Sequence, residues 1–204
     1  MELLRILRRA VTCFNPRADL AALAFICIVL IPGAIATAHA QVQVQEYALK
    51  AAFLSKFRLY VEWPSSAFSS PTSPLNLCVA GQDPFGESLD KAVAGEGING
   101  RNVVIRRLKT VGRDSGCHIL YIGGSDAQRG AQIIEAIRGS SVLTVSDTGG
   151  SGSSAGIIDF VIKDNRVRFN IDDEAAAQNG LVISSKLLNL ALNVKRRESS
   201  KEGR

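Results

Sequence analysis

Two cysteines and a histidine carry the most reactive side chains of this chain beyond its first forty residues. Cys78 lies within the alternating stretch "LNLCVAG", and Cys117 and His118 open the stretch "CHILYIGG". The three groups are one ligand short of a closed structural zinc site. Successive side chains of a strand point to opposite faces, so Cys117 and His118 are poorly placed to act as nucleophile and base. The sequence therefore predicts neither a metal site nor a catalytic residue.

Two glycine turns could instead bind a phosphate group. Gly81 follows one predicted strand, Gly123 and Gly124 follow another, and each turn leads into a predicted helix whose N-terminus would favour anions. Neither turn has the spacing of a Walker loop or of a dinucleotide-binding fingerprint. An ordinary strand-to-helix turn, capped by Asp83 or Ser125, accounts for both. We therefore predict no cofactor.

The first forty residues have the pattern of an export signal. Four arginines precede the apolar run "LAALAFICIVLI", and the small residues Ala38 and Ala40 follow it. This pattern predicts a signal peptide over residues 1–40, with cleavage after Ala40, and hence a periplasmic protein. A membrane anchor is the alternative, although the run is shorter than the roughly 20 apolar residues that a spanning helix needs.

Export also decides how the cysteines are interpreted. Cys13 and Cys27 leave with the predicted leader, so the exported chain keeps two cysteines, Cys78 and Cys117. In an oxidising compartment such a pair is expected to form a disulfide. Two free thiols and a metal site are the alternatives.

The charge distribution argues against nucleic-acid binding. The chain has 24 basic and 19 acidic residues, and the C-terminal "KRRESSKEGR" contains five of the basic ones. We predict that these residues, 195–204, form a disordered basic tail. The rest of the exported chain is then close to neutral, whereas a nucleic-acid-binding protein concentrates Lys and Arg on a folded face.

Residues 41–194 are expected to form a single α/β domain, because predicted strands and helices alternate along them. An amphipathic helix covers "EYALKAAFLSKFRLYVEWP", with Leu49, Phe53, Phe57 and Val61 in its apolar row, and ends at Pro64. The predicted strands are "LNLCVAG", "NVVIRRL", "HILYIGG" and "SVLTVSD". A hairpin in "IIDFVIKDNRVRFNID", with its turn at residues 163–165, and an amphipathic helix in "SSKLLNLALNV" follow. The pattern predicts a mixed, mainly parallel sheet with helices on both faces and a C-terminal antiparallel hairpin at its edge.

Seven blocks of the chain, in order, resemble the YfiR family of exported bacterial proteins. They are "EYALKAAFLSKFRLYVEWP", "LNLCVAGQDPFG", "INGRNVVIRRL", "CHILYIGGS", "VLTVSD", "GIIDFVIKDNRVRFNID" and "ISSKLLNLA". The resemblance spans residues 46 to 192 and implies a periplasmic α/β protein without catalytic activity, usually a homodimer. It also implies a disulfide between Cys78 and Cys117.

The resemblance further implies a function and partners. The best-understood member of the family represses an inner-membrane diguanylate cyclase, YfiN, by binding its periplasmic sensor domain, and an OmpA-like lipoprotein, YfiB, can sequester that repressor. We therefore expect this chain to bind a YfiN-like cyclase and to lower cyclic di-GMP synthesis, with a YfiB-like lipoprotein as a second partner. A small-ligand-binding module that feeds another membrane sensor is the alternative.

Partner contacts are expected where the sequence pattern does not clearly assign apolar residues to the core. These places are the end of the first helix and the hairpin. The predicted contact residues are Tyr60, Trp63, Lys163, Asn165, Arg166, Arg168 and Phe169. One departure from the family concerns redox sensing. The best-understood member carries a second cysteine pair, whereas the aligned segment here, "SDTGGSGSSAGIIDF", has no cysteine.

Overall fold

The computed structural model describes residues 43–124, 126–148 and 156–197. The chain divides into two compact units, residues 1–44 and 45–204, and only residues 43 and 44 of the first unit fall within the described ranges. The predicted signal peptide and most of the Gly/Ser-rich segment before the hairpin therefore lie outside the described residues. Within those ranges, no helix is both long enough and apolar enough to cross a bilayer.

Helices and strands alternate along the described residues. The helices are α1 (43–57), α2 (Glu87–Val93), α3 (Ala127–Ala136), α4 (Asp173–Gln178) and α5 (Ser185–Leu188). The strands are β1 (Val61–Glu62), β2 (Leu75–Gly81), β3 (Gly97–Ile98), β4 (Arg101–Leu108), β5 (Ile119–Gly123), β6 (Leu143–Ser146), β7 (Ile158–Lys163), β8 (Arg166–Asp172), β9 (Val182–Ile183) and β10 (Asn193–Lys195). Single 3₁₀ turns lie at Ser65–Ala67 and Arg113–Ser115.

The main sheet has the strand order β10-β8-β7-β6-β5-β2-β4-β3. Strand β2 pairs in parallel with β4 and β5, and the parallel pairing continues through β6 to β7. The β7–β8 hairpin is antiparallel, so the predicted mixed, mainly parallel sheet with a C-terminal antiparallel hairpin is confirmed. The hairpin is not at the edge of the sheet, however, because β10 adds in parallel beyond β8.

Both faces of the sheet are covered because its central strands are apolar on both sides. In β2, Leu77 and Val79 belong to the larger core, against α1, α2, α4 and α5, whereas Cys78 and Ala80 belong to a smaller core on the other face. Helix α3 packs on that second face through residues such as Ile133. The predicted placement of helices on both faces is therefore confirmed.

The first helix ends earlier than the sequence predicts, at residue 57 instead of Pro64. The chain then turns, and Val61 pairs with Ile183 in a separate two-stranded sheet of β1 and β9. The predicted apolar row is also wrong at its start, because Leu49 is 47% exposed while its neighbour Lys50 is 1% exposed. The helix is therefore rotated relative to the predicted orientation.

The predicted caps of the two helices that follow β2 and β5 are also corrected. The Asp83 carboxylate accepts the backbone N–H of Phe85, at 2.8 Å, in a turn ahead of α2, whose N-cap is Gly86. Ser125 lies outside the described residues, and the α3 cap is Asp126, whose carboxylate accepts the N–H of Arg129 at 3.0 Å.

The C-terminal segment contains less helix and more strand than predicted. Helix α5 ends at Leu188, and β10 pairs with β8 in the register Asn193 to Asn170. Lys195 is the last residue of β10 and forms ion pairs with Asp172 and Glu174. Regular structure thus extends past the predicted tail boundary at residue 194.

Candidate protein-binding surface

Tyr60 and Trp63 are only half buried, and both contact the larger core. The Trp63 indole N–H donates to the carbonyl oxygen of His118 at 3.2 Å. The Tyr60 carbonyl oxygen accepts the backbone N–H of Ser184 at 2.8 Å. These two predicted contact residues therefore fasten the β1 segment to the domain and leave part of each ring exposed.

The hairpin projects its other predicted contact residues into solvent. Asp164 and Asn165 have φ values of 50° and 56°, the left-handed pair that a two-residue turn needs to match the twist of the strands. Lys163, Asn165, Arg166 and Arg168 are exposed. The predicted turn at residues 163–165 thus agrees with the structure to within one residue.

Phe169 is a correction, because it is 2% exposed and lies in the core. Its ring is 5.4 Å from the Phe57 ring and 5.8 Å from the Phe53 ring, between their centroids. Alternation along β8 directs Phe169 toward α1 and Arg168 to the opposite face. Phe169 therefore cannot contact a partner in this structure.

The two predicted contact regions lie at opposite ends of the parallel strands. Trp63 bonds to His118, immediately before β5, whereas the hairpin turn follows the end of β7. Strands β5, β6 and β7 run in parallel, so the start of β5 and the end of β7 lie at opposite ends of these strands. The structure thus contains two separate candidate surfaces, and a single small interface cannot cover both.

The disulfide Cys78–Cys117 is present, with the two Cα atoms 5.8 Å apart. It joins the centre of β2 to the residue before His118, at the start of β5, across a sequence separation of 39. Closing a loop of this length stabilises a fold by about 4 kcal/mol on the chain-entropy model. Both sulfurs are bonded, so neither cysteine is a nucleophile or a metal ligand here.

His118 is 5% exposed and serves as a structural connector. Its Nδ1 accepts the backbone N–H of Asn76 at 3.0 Å, and its Nε2 lies 3.0 Å from the Ala67 carbonyl oxygen, which assigns the proton to Nε2. The Phe68 ring stacks on the imidazole at 4.4 Å, and the Arg101 guanidinium lies 3.9 Å from the centre of the Phe68 ring. Burial lowers the pKa of His118, and the Arg101 charge adds to this, against the opposing hydrogen bond to Ala67.

The glycine turns after β2 and β5 lie against each other. A methyl group added to Gly81 would lie 2.3 Å from the Gly123 carbonyl oxygen, and one added to Gly123 would lie 1.9 Å from the Gln82 carbonyl oxygen. Strand order reverses between β2 and β5, and doubly wound proteins bind ligands in the crevice at this point. Here the two turns approach each other at backbone distance where the strands end, while a methyl group added to Gly124 would have nothing within 4 Å.

Lys50 is a feature that the sequence interpretation missed. Its ammonium group lies 2.5 Å from a Glu46 carboxylate oxygen and 2.7 Å from an Asp147 carboxylate oxygen. Burial alone would lower the pKa of Lys50, but the hydrogen bonds to these two carboxylates outweigh it and raise the pKa. The cluster fastens α1 to the end of β6. Ala51 and Leu54 form a second apolar row on α1. This row was the sequence signal that the side of the helix carrying Lys50 is buried.

An open groove of about 620 Å³ runs between the end of α2 and strand β4. Val93 and Ile105 give it apolar walls, and Asp90 and Glu96 lie at its polar side. Both carboxylates are already paired, Asp90 with Arg107 and Glu96 with Lys56. Among the described residues there is no group of three or more His, Cys, Asp or Glu side chains that could hold a metal ion.

The YfiR/HmsC-like family model matches residues 47–192, which is most of the chain. The chain belongs to the YfiR/HmsC-like family. A comparison with curated proteins finds no significant match. Membership of the YfiR/HmsC-like family indicates a periplasmic regulator of cyclic di-GMP signalling. It also favours a regulatory protein over an enzyme.

Proposed function

We propose that this protein is a periplasmic repressor that binds the periplasmic sensor domain of an inner-membrane diguanylate cyclase of the YfiN type. Binding would hold the cyclase inactive and lower cyclic di-GMP synthesis inside the cell. The observation that carries the proposal is the family match over residues 47–192.

The chemistry of the described residues supports a binding role. The two cysteine sulfurs are joined to each other, and both ring nitrogens of His118 are engaged with backbone groups. The Lys50 ammonium is held between two carboxylates. These reactive groups are thus occupied in holding the fold, whereas the hairpin presents several exposed side chains.

Repression would work by shifting a conformational equilibrium. The repressor must bind the inactive conformation of the cyclase sensor more tightly than the active one, because only a difference in affinity can change the two populations. A tenfold difference corresponds to about 1.4 kcal/mol of binding free energy. A YfiB-like lipoprotein would release the cyclase by competing for the repressor. A homodimer would present two copies of each surface.

The alternative, a small-ligand module that feeds another membrane sensor, has one feature in its favour. The groove between α2 and β4 has a volume within the usual range for ligand sites. Against it, both carboxylates at the polar side of this groove are already paired, Asp90 with Arg107 and Glu96 with Lys56.

The experiment that tests the proposal is titration calorimetry. The oxidised protein is titrated with the purified periplasmic domain of a diguanylate cyclase encoded beside it. We expect saturable binding at micromolar affinity or tighter, and lower cellular cyclic di-GMP when the repressor is present. A folded, disulfide-closed protein that does not bind this domain contradicts the proposal and favours the small-ligand alternative. Light scattering of the same sample measures whether it is a dimer.

A further inference from the structure

Three cations lie together on one face of the hairpin. Lys163 and Arg166 are cross-strand partners on either side of the turn. Arg168 follows two residues later, so its side chain lies on the same face of the sheet. We call Lys163, Arg166 and Arg168 the basic hairpin face. Its members are exposed, and they form no ion pair within the part of the chain that the structure describes.

This arrangement is electrostatically unfavourable in the isolated protein. Directly opposite residues of an antiparallel pair have Cβ atoms about 4.5–5.5 Å apart, and like charges at that distance destabilise a hairpin. Two other basic side chains of this region are neutralised. Lys195 pairs with Asp172, and Arg197 pairs with Asp173. The turn residue Asp164 is the only acid between Lys163 and Arg166 in the sequence, and it forms no ion pair with either of them.

The opposite face of the hairpin explains why the hairpin is nevertheless well formed. Phe160 and Phe169 are cross-strand partners, and both are buried against α1. The aromatic packing beneath the strands fixes the register, and the register fixes the three cations side by side. The backbone beneath the basic hairpin face is therefore already fixed, so only the three side chains have to be ordered on binding.

We propose that the basic hairpin face docks a carboxylate-rich surface of the protein partner. This inference deepens the proposed function, on which the identity of the partner rests. A guanidinium group presents a planar fork of donors that matches a carboxylate, and Arg166 and Arg168 supply two such forks on a flat strand surface. A neighbouring carboxylate would also remove the repulsion between Lys163 and Arg166.

A membrane surface is a weaker fit than a protein. Recognition of anionic lipid typically uses clusters of about 4–8 basic residues, each contributing about 1 kcal/mol. The basic hairpin face has three cations, which would give only weak, transient membrane binding. Trp63 and Tyr60 lie toward the opposite end of the parallel strands, so the hairpin acts as a recognition surface without them.

The test uses two charge-matched variants of the full exported chain. The hairpin variant carries Arg166→Glu and Arg168→Glu. The control carries Lys109→Glu and Lys186→Glu, two exposed lysines remote from the hairpin in sequence, so that both variants have the same net charge. Arg166→Glu also places opposite charges across the strands, so we expect the midpoint of urea unfolding to stay unchanged or rise. A loss of binding by a variant of equal or greater stability cannot be caused by unfolding.

Three titrants distinguish the possible outcomes. Poly-L-glutamate is the probe for carboxylate recognition, followed by amide chemical shifts and calorimetry at low salt. We expect shifts centred on residues 163–168. Affinity should fall at least about tenfold for the hairpin variant and less than about twofold for the control. Equal losses in the two variants, or shifts elsewhere, overturn the proposal because they would reflect net charge alone.

The second titrant is vesicles of phosphatidylglycerol, and the third is the periplasmic domain of the cyclase. Binding to vesicles that is tighter than binding to poly-L-glutamate overturns the proposal in favour of a lipid surface. If the cyclase domain binds the wild type and the hairpin variant equally, the proposal fails while the proposed function stands. If poly-L-glutamate gives the expected pattern and the cyclase domain does not bind, the basic hairpin face stands as a carboxylate-binding surface and the proposed function fails.

Discussion

The ion cluster around Lys50 yields the sharpest stability prediction. The substitution Lys50→Met keeps most of the side-chain volume and removes the charge. It leaves the carboxylates of Glu46 and Asp147 without their cation, at side-chain exposures of 27% and 18%. Breaking a buried ion pair by removing one partner costs about 3–5 kcal/mol. Because these carboxylates keep some contact with water, we expect a loss of about 2–3 kcal/mol here.

A matched control exists on helix α2. Lys91 also pairs with a glutamate four residues earlier, Glu87, but the two side chains are 77% and 85% exposed. Exposed pairs of this type are worth about 0.3–0.5 kcal/mol. Lys91→Met should therefore change the free energy of unfolding by less than about 0.5 kcal/mol. The difference between the two variants measures what burial and the second carboxylate, Asp147, add to a lysine–glutamate pair of the same helical spacing.

The assay is urea unfolding of the oxidised protein followed by circular dichroism, with free energies from linear extrapolation. For a protein of this size the loss from Lys50→Met corresponds to a drop in Tm of about 4–12 °C. Equal effects of Lys50→Met and Lys91→Met would refute the reasoning, because they would mean that burial of Lys50 adds nothing to the strength of the cluster.

Three further predictions concern the disulfide, the histidine and the glycine turns. The double substitution Cys78→Ala and Cys117→Ala should lower the free energy of unfolding by about 4 kcal/mol, measured in urea, and a wild-type protein that keeps its stability under reductant would contradict this. The lowered pKa of His118 means that the unfolded chain takes up a proton first as pH falls below 6.5. Its contribution to stability is therefore fully present well above pH 6.5 and should decline as the pH falls through 6.5 and below. His118→Gln should flatten that decline in urea titrations at each pH. Gly123→Ala should destabilise the protein severely, because the added methyl would lie 1.9 Å from the Gln82 carbonyl oxygen, whereas Gly112→Ala, with nothing within 4 Å, should be nearly neutral in thermal unfolding.

Local patterns in the sequence predicted much of the fold. Alternation of Leu75, Leu77 and Val79 predicted strand β2, and the hairpin was predicted from two strand-like runs around a turn at residues 163–165. Each of these signals is contained in a few consecutive residues, because strand periodicity and turn conformation are short-range properties.

The caps and the ends of helices were predicted less well. Asp83 and Asp126 are both good capping residues, yet Asp83 stabilises a turn ahead of α2 while Asp126 caps α3. The sequence could not distinguish these two uses of an aspartate side chain. In both, the carboxylate accepts a hydrogen bond from a backbone N–H group two or three residues later. The end of α1 was misplaced because β9, which pairs with β1, lies over one hundred residues away in the sequence.

For the candidate surface too, some features follow from neighbouring residues and others depend on tertiary packing. The sequence by itself determined that the hairpin exists and that its turn half is basic, since both follow from neighbouring residues. Only the tertiary structure decided that Phe169 lies against α1 while Arg166 and Arg168 face solvent, and that Trp63 lies at the opposite end of the parallel strands from the hairpin turn. The physical reason is that burial depends on which distant element covers a face. A strand's own residues set the alternation between its two faces, but the side that is covered is set by the packing of α1.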